Sequence, residues 1–167
     1  MHLQLTDIDM DIIMYTDGAS RGNPGPGGYG TVLICGSYRR EISQGFRRTT
    51  NNRMELLAVI VGLEALKKPG MNVTIYSDSK YVVDSVEKKW IIGWLKKGFK
   101  DKKNKDLWLR FLKIYQQHTV RFVWIKGHNE TPENERCDRL AVAAALDTPS
   151  LLDDTGYEAE EKSSGLF

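Results

Sequence analysis

The 167-residue chain has few of the features that mark exported, membrane-spanning or thiol-dependent proteins. Its two cysteines, Cys35 and Cys137, are too few for a disulfide framework and lack the paired spacing of a metal site, so we expect buried free thiols. No apolar run approaches the roughly 18 residues that a membrane span needs. The N-terminus has no basic segment followed by an apolar stretch. These absences favour a cytoplasmic protein that has no membrane partner.

Composition predicts one domain with a core of its own. Apolar residues make up 41% of the chain and charged residues 28%, which is typical of a globular domain. We expect this domain to span residues 1–147 and to be a monomer, because no apolar helix face calls for a partner. Residues 147–167 hold six acidic side chains and one lysine, without apolar periodicity. Residues 148–167 are therefore expected to form a mobile, acidic C-terminal tail.

A second charged segment is basic and also aromatic. Residues 88–105 hold eight lysines and one acidic residue, Asp101, in a chain whose net charge is only +2. Trp90, Trp94 and Phe99 are interleaved with these lysines. A solvated surface accounts for most lysine runs, but such a surface has little reason to carry flat apolar side chains. The combination favours contact with nucleic acid over a merely solvated face.

The apolar pattern predicts five strands and five helices in an α/β arrangement. We expect strands at residues 12–17, 29–35, 39–46, 73–77 and 119–125, and helices at 54–68, 79–88, 90–97, 104–117 and 133–146. The glycine-rich run at residues 18–28 is predicted to be a turn, and short connections make the first three strands an antiparallel meander. The helix at 54–68 should be capped by one of the polar residues 50–52 and ended by Pro69. It is apolar nearly all round, so it should lie buried against the sheet.

Two predicted strands end with the same pattern, an apolar run that stops on an aspartate. The first ends in Tyr15-Thr16-Asp17 and the fourth in Tyr76-Ser77-Asp78. If these strands are parallel neighbours, both carboxylates leave the sheet at one end, where open α/β sheets bind ligands. Two carboxylates there suit a hard divalent cation. The alternative is that each aspartate forms a turn, which is a common fate of aspartate at the end of a strand.

Two further carboxylates lie on predicted helices. Glu55 occupies the first turn of the most apolar helix, between Met54 and Leu56. A carboxylate there is either a partner of the helix dipole or a ligand, because burying it without a partner costs several kcal/mol. Asp138, in the first turns of the last helix, is by itself typical of ordinary helix surface. If these acids and the two aspartates converge, repulsion raises their pKa values unless cations neutralise them.

Five ordered motifs give the chain a resemblance to a known family. They are Tyr-Thr-Asp-Gly-Ala-Ser-Arg-Gly-Asn-Pro-Gly-Pro-Gly-Gly-Tyr-Gly (15–30), Thr-Thr-Asn-Asn-Arg-Met-Glu-Leu (49–56), Tyr-Ser-Asp-Ser-Lys-Tyr-Val (76–82), Trp-Ile-Lys-Gly-His (124–128) and Pro-Glu-Asn-Glu-Arg-Cys-Asp (132–138). Over residues 10–147 their order and spacing resemble bacterial ribonuclease HI, of the type 1 ribonuclease H family. The resemblance implies a ribonuclease H-like α/β fold: a mixed five-stranded sheet, with three antiparallel strands followed by two parallel ones, and helices on both faces.

The resemblance also implies an activity and the residues that carry it. Members of this family are endonucleases that hydrolyse the RNA strand of RNA–DNA hybrids with two Mg²⁺ ions, leaving 5′-phosphate and 3′-hydroxyl ends. Carried onto this chain, the acidic metal ligands are Asp17, Glu55, Asp78 and Asp138, and the catalytic histidine is His128. Carboxylate oxygens suit Mg²⁺, for which Mn²⁺ can substitute. An imidazole suits proton transfer near neutral pH.

To recognise a hybrid, a protein must contact the 2′-hydroxyl groups in the wide minor groove and bind the phosphate backbone. The residues that we expect to contact the hybrid are Gly18, Ser20, Asn23, Asn51, Asn52, Lys80, Trp90, Trp94, Lys96, Lys97, Phe99 and Lys100. The asparagine amides both donate and accept, and the lysine-rich segment resembles the basic protrusion of the family. Lys80 is a departure from the glutamine of the family pattern, and a lysine cannot accept a hydrogen bond in return.

Two other functions stay open at this point. A nuclease of the same fold could act on DNA, as integrases and junction resolvases do, although the asparagines and the basic segment argue against this function. The chain could also be a hybrid-binding module without catalysis, which the full set of four acids argues against.

Overall fold

Five strands form a single mixed sheet in the computed structural model, which describes residues 11–126 and 131–164. The strands are β1 (Ile12–Ser20), β2 (Gly25–Cys35), β3 (Tyr38–Thr49), β4 (Asn72–Ser77) and β5 (Thr119–Trp124). Their order in the sheet is β3-β2-β1-β4-β5. β1, β2 and β3 pair antiparallel, whereas β4 is parallel to β1 and β5 is parallel to β4. The predicted meander followed by two parallel strands is confirmed.

Six helices accompany the sheet in the described residues. They are α1 (Asn51–Glu64), α2 (Lys80–Glu87), α3 (Trp90–Lys96), α4 (Lys105–Tyr115), α5 (Pro132–Leu146) and α6 (Thr155–Ser164). α1 and α5 cover opposite faces, because successive strand residues point to opposite sides: Gly30 lies against α5, whereas the hydroxyl of Thr31 donates to the carbonyl of Ala58 in α1 at 2.7 Å. Helices on both faces are thus confirmed. None of the six combines the length and apolar character that crossing a membrane requires.

Helix α1 is buried along most of its length, as its composition predicts. Thr50 caps it, since the hydroxyl oxygen of Thr50 accepts the backbone N–H of Arg53 at 3.3 Å. The helix ends at Glu64, four residues before the predicted end at residue 68. The N–H of Leu66 bonds to the carbonyl three residues back, which tightens the last turn, and Pro69 disfavours helical backbone in the residue before it.

The glycine-rich run is mostly strand, and the predicted turn over residues 18–28 is wrong. β1 continues to Ser20 and β2 begins at Gly25, so that residues 21–24 alone connect them. The glycine backbone pairs in register, with Ser20 opposite Gly27. Glycine is a turn signal in a sequence, but inside a strand it also marks a place where another backbone comes close. In this run α5 approaches Gly28, whereas α1 approaches Gly18.

Gly30 sets the distance between β2 and α5. A Cβ on residue 30 would overlap the carbonyl oxygen of Cys137 and lie 2.8 Å from the Cβ of Leu140. Gly30→Ala is therefore expected to lower the free energy of unfolding by about 1–3 kcal/mol, because rigid backbone stands in the way of the methyl group.

A glycine in open space provides the control for this prediction. A methyl group on residue 93, inside α3, would meet no neighbouring element within 4 Å, so Gly93→Ala should stabilise the protein by about 0.5–1 kcal/mol. Urea unfolding of both variants measures the two effects. If the Gly30→Ala protein is as stable as the parent, α5 can move away from β2 without a loss of stability.

Residues 148–164 are folded against the domain, and the expectation of a mobile tail is wrong for them. The N–H of Leu152 donates to the carbonyl of Gly45 at 3.0 Å, and its carbonyl accepts the N–H of Arg47 at 2.8 Å. The segment thereby pairs with the edge strand β3 before α6 begins. Polar contacts rather than an apolar helix face attach it, which is why the apolar pattern gives no signal. Residues 165–167 lie outside the described part of the chain.

A buried ion-pair network joins this segment to the start of α1. The guanidinium of Arg53, whose side chain is 1% exposed, donates to both carboxylate oxygens of Asp154, at 2.8 and 3.0 Å, and to those of Asp106, at 2.7 and 2.9 Å. The hydroxyl of Thr49 also donates to Asp154, at 2.7 Å. Burial alone would lower the pKa of Arg53, but the two carboxylates hold it above its usual range. Arg53, which all these contacts share except that of Thr49, lies two residues before Glu55 in the chain.

Candidate active site

The register between β1 and β4 brings Asp17 and Asp78 together. Tyr15 and Tyr76 are direct partners across these parallel strands, and their rings stack with centroids 5.0 Å apart. Each aspartate lies two residues further along the chain, so both side chains emerge on the same side at the same end of the sheet. The repeated strand ending in the sequence is the signature of one shared site.

Glu55 reaches the same place from α1 because Gly18 has no side chain. A Cβ on residue 18 would overlap the backbone nitrogen of Glu55 and lie 2.8 Å from the Cβ of Met54. The glycine therefore lets the first turn of α1 lie directly on the end of β1. The Glu55 carboxylate is buried in this position and faces the two aspartates.

Asp17, Glu55 and Asp78 form a tight carboxylate cluster. Each offers one oxygen atom, and these oxygens all lie within 4.8 Å of one another. The cluster opens into a cavity of about 440 Å³. The cavity is lined by Asp17, Gly18, Ala19, Asn51, Asn52, Glu55, Asp78, Ser79, Lys80, Tyr81 and Asp138. The carboxylates at the ends of two strands and the carboxylate on the buried helix α1 thus lie in one place.

Burial and mutual repulsion make this cluster hold protons tightly. The pKa of Asp17 is raised to about 8, by burial first and then by the charges of Asp78 and Asp138, although the N–H of Gly18 donates to its Oδ1 at 2.9 Å. The pKa of Glu55 is raised well above its ordinary value, again by burial first and then by the two aspartates of the cluster. A bound cation would relieve this repulsion.

The donor set of the cluster fits a hard divalent cation. All three ligand atoms are carboxylate oxygens, which Mg²⁺ and similar ions prefer over thiolates and imidazoles. The Oε1 atom of Glu55 is buried and has no hydrogen-bond partner in the described part of the chain. A buried carboxylate oxygen without a donor is costly, and coordination to an ion would satisfy it.

Asp138 lines the same cavity from α5 but lies outside the tight cluster. It is close enough for its charge to raise the pKa of Asp17. The close approach of α5 to β2 places it there, and the neighbouring thiol of Cys137 donates to the carbonyl of Tyr15 at 3.2 Å. Both cysteines are free, as predicted, with Cys137 buried and Cys35 half-buried.

Several of the predicted hybrid contacts lie at this cavity. Gly18, Asn51, Asn52 and Lys80 line it. Asn23 lies next to them, because its Oδ1 atom accepts the backbone N–H of Asn51 at 2.9 Å. Asn23 and Asn52 also line a neighbouring cavity of about 570 Å³. The asparagines expected to contact the hybrid therefore form one continuous rim beside the carboxylates.

Other residues at the cavity were not among the predicted contacts. Ala19 lines the cavity, next to Ser20 at the end of β1, and the contact of Ser20 with the hybrid stays a prediction. Ser79 and Tyr81 also line the cavity and were not predicted. Ser79 could have been found, because a serine directly before a helix is a usual N-cap, and its hydroxyl accepts a backbone N–H of the first turn of α2 at 3.2 Å. His128 belongs to residues 127–130, which lie outside the described part of the chain.

The basic, aromatic segment surrounds a separate surface cavity of about 640 Å³. Trp90, Trp94, Lys97 and Lys100 are among its lining residues, and their contact with nucleic acid stays a prediction. Trp90 is half-exposed, whereas the ring of Trp94 packs edge-on against Trp108 with centroids 6.0 Å apart. Trp94 rather than Trp90 therefore anchors the segment to the core.

Phe99 does not lie where a hybrid contact would need it. Its ring is only 4% exposed and belongs to the hydrophobic core, so the expected contact between Phe99 and the hybrid is wrong. The backbone N–H of Phe99 donates to the carbonyl of Trp94 at 2.7 Å, which turns the chain inward. Lys96, at the end of α3, is exposed. Phe99 supports the basic segment from beneath.

The sheet order and the carboxylate cluster are together those of a metal-dependent α/β enzyme. The family model described as RNase H matches residues 9–146. The chain belongs to the ribonuclease H family, and by that membership it is an endoribonuclease.

Individual relatives agree with this assignment. The ribonuclease H of Desulforamulus reducens is 59% identical over 148 residues, covering 86% of this chain and 92% of the relative. That of Lachnoclostridium phytofermentans is 54% identical over 160 residues, covering 89% and 100%. The crystal structure of LC9-RNase H1, a type 1 RNase H with the type 2 active-site motif, has a TM-score of 0.75 at 30% identity and covers 93% of this chain and 82% of its own. LC11-RNase H1, solved in complex with an RNA/DNA hybrid, has a TM-score of 0.64 at 29% identity, covering 84% and 100%.

Proposed function

We propose that this protein hydrolyses the RNA strand of RNA–DNA hybrids and that Asp17, Glu55, Asp78 and Asp138 hold two Mg²⁺ ions for this reaction. The observation that carries the proposal is the convergence of three carboxylates to within 4.8 Å of one another at the end of two parallel strands. Membership of the ribonuclease H family and the hybrid complex of LC11-RNase H1 support the choice of substrate. Mn²⁺ is the expected substitute for Mg²⁺.

We assign different roles in hydrolysis to different residues of the chain. When bound, two such ions lower the pKa of an attacking water and neutralise charge on the leaving oxygen. Glu55 and Asp17 are buried, and the N–H of Gly18 donates to Oδ1 of Asp17 at 2.9 Å, which restricts the orientation of the Asp17 carboxylate. Asp138 lines the more open part of the cavity from α5. We assign to His128 the transfer of a proton to or from the leaving oxygen, which yields a 3′-hydroxyl and a 5′-phosphate.

Substrate recognition is proposed to use the asparagine rim and the basic segment. Asn51 and Asn52 present amides that can both donate to and accept from a ribose 2′-hydroxyl, the group that distinguishes RNA from DNA. Lys97 and Lys100 are proposed to hold backbone phosphates, with Trp90 exposed beside them. The monomeric state and the cytoplasmic location stay predictions.

A cleavage assay on three duplexes tests the proposal. With Mg²⁺, we expect cuts in the RNA strand of a labelled RNA–DNA hybrid, at least about 100-fold faster than in duplex RNA or duplex DNA of the same sequence. For duplex DNA the reason is that a missed contact with the 2′-hydroxyl costs transition-state binding. EDTA should abolish these cuts and excess Mg²⁺ should restore them. Equal cutting of duplex DNA would indicate a DNA nuclease of the same fold. Binding of the hybrid without any cleavage would indicate a non-catalytic module.

A further inference from the structure

The acidic helix α6 is attached to the domain without a buried side chain. The structure describes all of its residues, Thr155–Ser164, and none of them is buried. Its acidic residues are held by polar contacts. The carboxylate of Glu160 accepts the backbone N–H of Asn104 at 2.6 Å. The carboxylate of Glu161 accepts two hydrogen bonds from the guanidinium of Arg48, at 2.5 and 3.3 Å. Because these two side chains are 40% and 50% exposed, salt weakens their attraction.

The two carboxylates lie in a cavity that adjoins the active site. Glu160 and Glu161 line the neighbouring cavity of about 570 Å³, together with Lys102 and Lys103. Asn52 lines this cavity and also the cavity of the carboxylate cluster, so the two are continuous. A hybrid that binds at the cluster extends past Asn52. Its phosphate backbone therefore approaches the carboxylates of α6.

Helix α6 changes the sign of the charge in this neighbouring cavity. Two lysines and three acidic residues belong to the lining, and two of the three acids are Glu160 and Glu161. Without α6, the lysines would outnumber the remaining acid, Asp101. The guanidinium of Arg48 and the N–H of Asn104 would also be available to another anion. The helix thus repels an anionic backbone and occupies donors that would attract it.

We propose that α6 is an autoinhibitory element, in which Glu160 and Glu161 occupy the neighbouring cavity and compete with the phosphate backbone of the hybrid. The inference rests on the proposed function, because the hybrid is the substrate that α6 excludes. Only molecules in which α6 is displaced bind the hybrid at full affinity, so the docked helix raises the apparent KM. Displacement leaves the domain folded, since the buried pair of Arg53 and Asp154 lies outside α6.

The test compares the parent with the double variant Glu160→Gln/Glu161→Gln in cleavage of a labelled RNA–DNA hybrid at saturating Mg²⁺. Glutamine keeps the shape of each side chain and removes its charge. At low salt we expect KM to fall by roughly 3- to 10-fold with kcat changed by less than about 2-fold, because α6 no longer competes. The slope of log(kcat/KM) against log[salt] should become steeper by about 0.7–0.9, the change expected for one further phosphate contact.

A third substitution distinguishes competition from structural support. In the parent, Arg48→Gln removes a cation and releases α6 at the same time, so KM should change by less than about 2-fold. In the double-variant background α6 is already released, and Arg48→Gln should raise KM by roughly 3- to 10-fold. Equal changes of KM in the two backgrounds would contradict competition for the same donors.

Glu158→Gln is the matched control. It removes one negative charge from the same helix, but Glu158 is not one of the residues that line the neighbouring cavity. Its KM and slope should be those of the parent. The proposal is overturned if the double variant keeps the parental KM and slope, or if its KM rises, as loss of a structural support would cause.

Urea unfolding shows whether the double variant is folded. If it is not, the single variant Glu161→Gln, which keeps the contact of Glu160 with Asn104, decides the question. Its KM should fall by at least about 2-fold, and a parental KM would overturn the proposal. Absence of hybrid cleavage by the parent protein would instead contradict the proposed function itself.

Discussion

Asp17→Asn is expected to abolish hybrid cleavage and, at the same time, to make the metal-free protein more stable. The carboxylate is one of the three whose oxygens lie within 4.8 Å of one another, so its loss should slow cleavage by about 1000-fold or more, equivalent to roughly 4 kcal/mol. An asparagine has nearly the same shape but removes one of the charges that repel each other. In EDTA at pH 8, we expect the variant to gain about 1–3 kcal/mol in free energy of unfolding.

The pH dependence of this gain has a definite sign. The pKa of Asp17 is about 8 in the folded metal-free protein, against an ordinary value of 3.8. Between these values the folded state binds more protons than the unfolded state, so raising the pH lowers the stability of the parent protein. The asparagine of the variant cannot titrate, and the difference between the two proteins should therefore widen from pH 5 to pH 8. Thermal unfolding in EDTA at both pH values measures it.

A control and a contrary outcome complete this test. Asp84→Asn removes an aspartate of α2 whose Oδ2 atom lies 3.7 Å from Nζ of Lys88. Asp84 is not one of the residues that line the cavity. It should leave cleavage unchanged and alter stability by less than about 0.5 kcal/mol. An Asp17→Asn protein that melts several degrees below the parent in EDTA would show that Asp17 has a structural role.

Asp154→Ala is expected to destabilise the protein by about 3 kcal/mol, far more than a surface substitution does. The substitution leaves the buried guanidinium of Arg53 without two of its hydrogen bonds and the hydroxyl of Thr49 without its acceptor. Asp106 remains as a partner of Arg53, which keeps the loss at the lower end of the range for broken buried pairs. Urea unfolding in the presence of Mg²⁺ measures the effect.

The neighbouring residue supplies the control. Asp153 pairs with Arg47 at 2.8 Å, but both side chains are more than half exposed. Asp153→Ala should therefore cost less than about 0.5 kcal/mol. Similar losses for the two substitutions would mean that the buried network contributes little. A combined Arg53→Met and Asp154→Leu variant should recover part of the stability, because the buried guanidinium and the buried carboxylate are removed together, and Asp106, which loses its partner, is 44% exposed.

The part of the site that follows from strand periodicity could be predicted from the sequence. Asp17 and Asp78 each end an apolar strand, and a parallel register needs nothing else to bring them together. Glu55 stayed ambiguous, because its proximity to Asp17 depends on the bare backbone of Gly18, a long-range contact that the local pattern does not contain. Asp138 was attached to the site by family resemblance, and its position depends in the same way on the approach of α5 to Gly30.

The errors share one physical origin, since local composition does not report distant partners. The glycine run has the composition of a turn, but its Gly28 lies against α5, which begins more than 100 residues later in the chain. The acidic segment has the composition of a mobile tail, but the partner of Asp154 is Arg53, 101 residues earlier. Phe99 lies among lysines in the sequence, yet the turn at the end of α3 directs its ring into the core.

The network around Arg53 also has a consequence for biosynthesis. A ribosome makes the sheet and α1 first, and it adds Asp154 only after all five strands. Until then the nascent chain carries a guanidinium whose native position has one of its two carboxylates missing. Stable folding is therefore expected to wait until this segment has left the ribosome, and chains that stall before residue 154 should be preferred targets of cellular proteases.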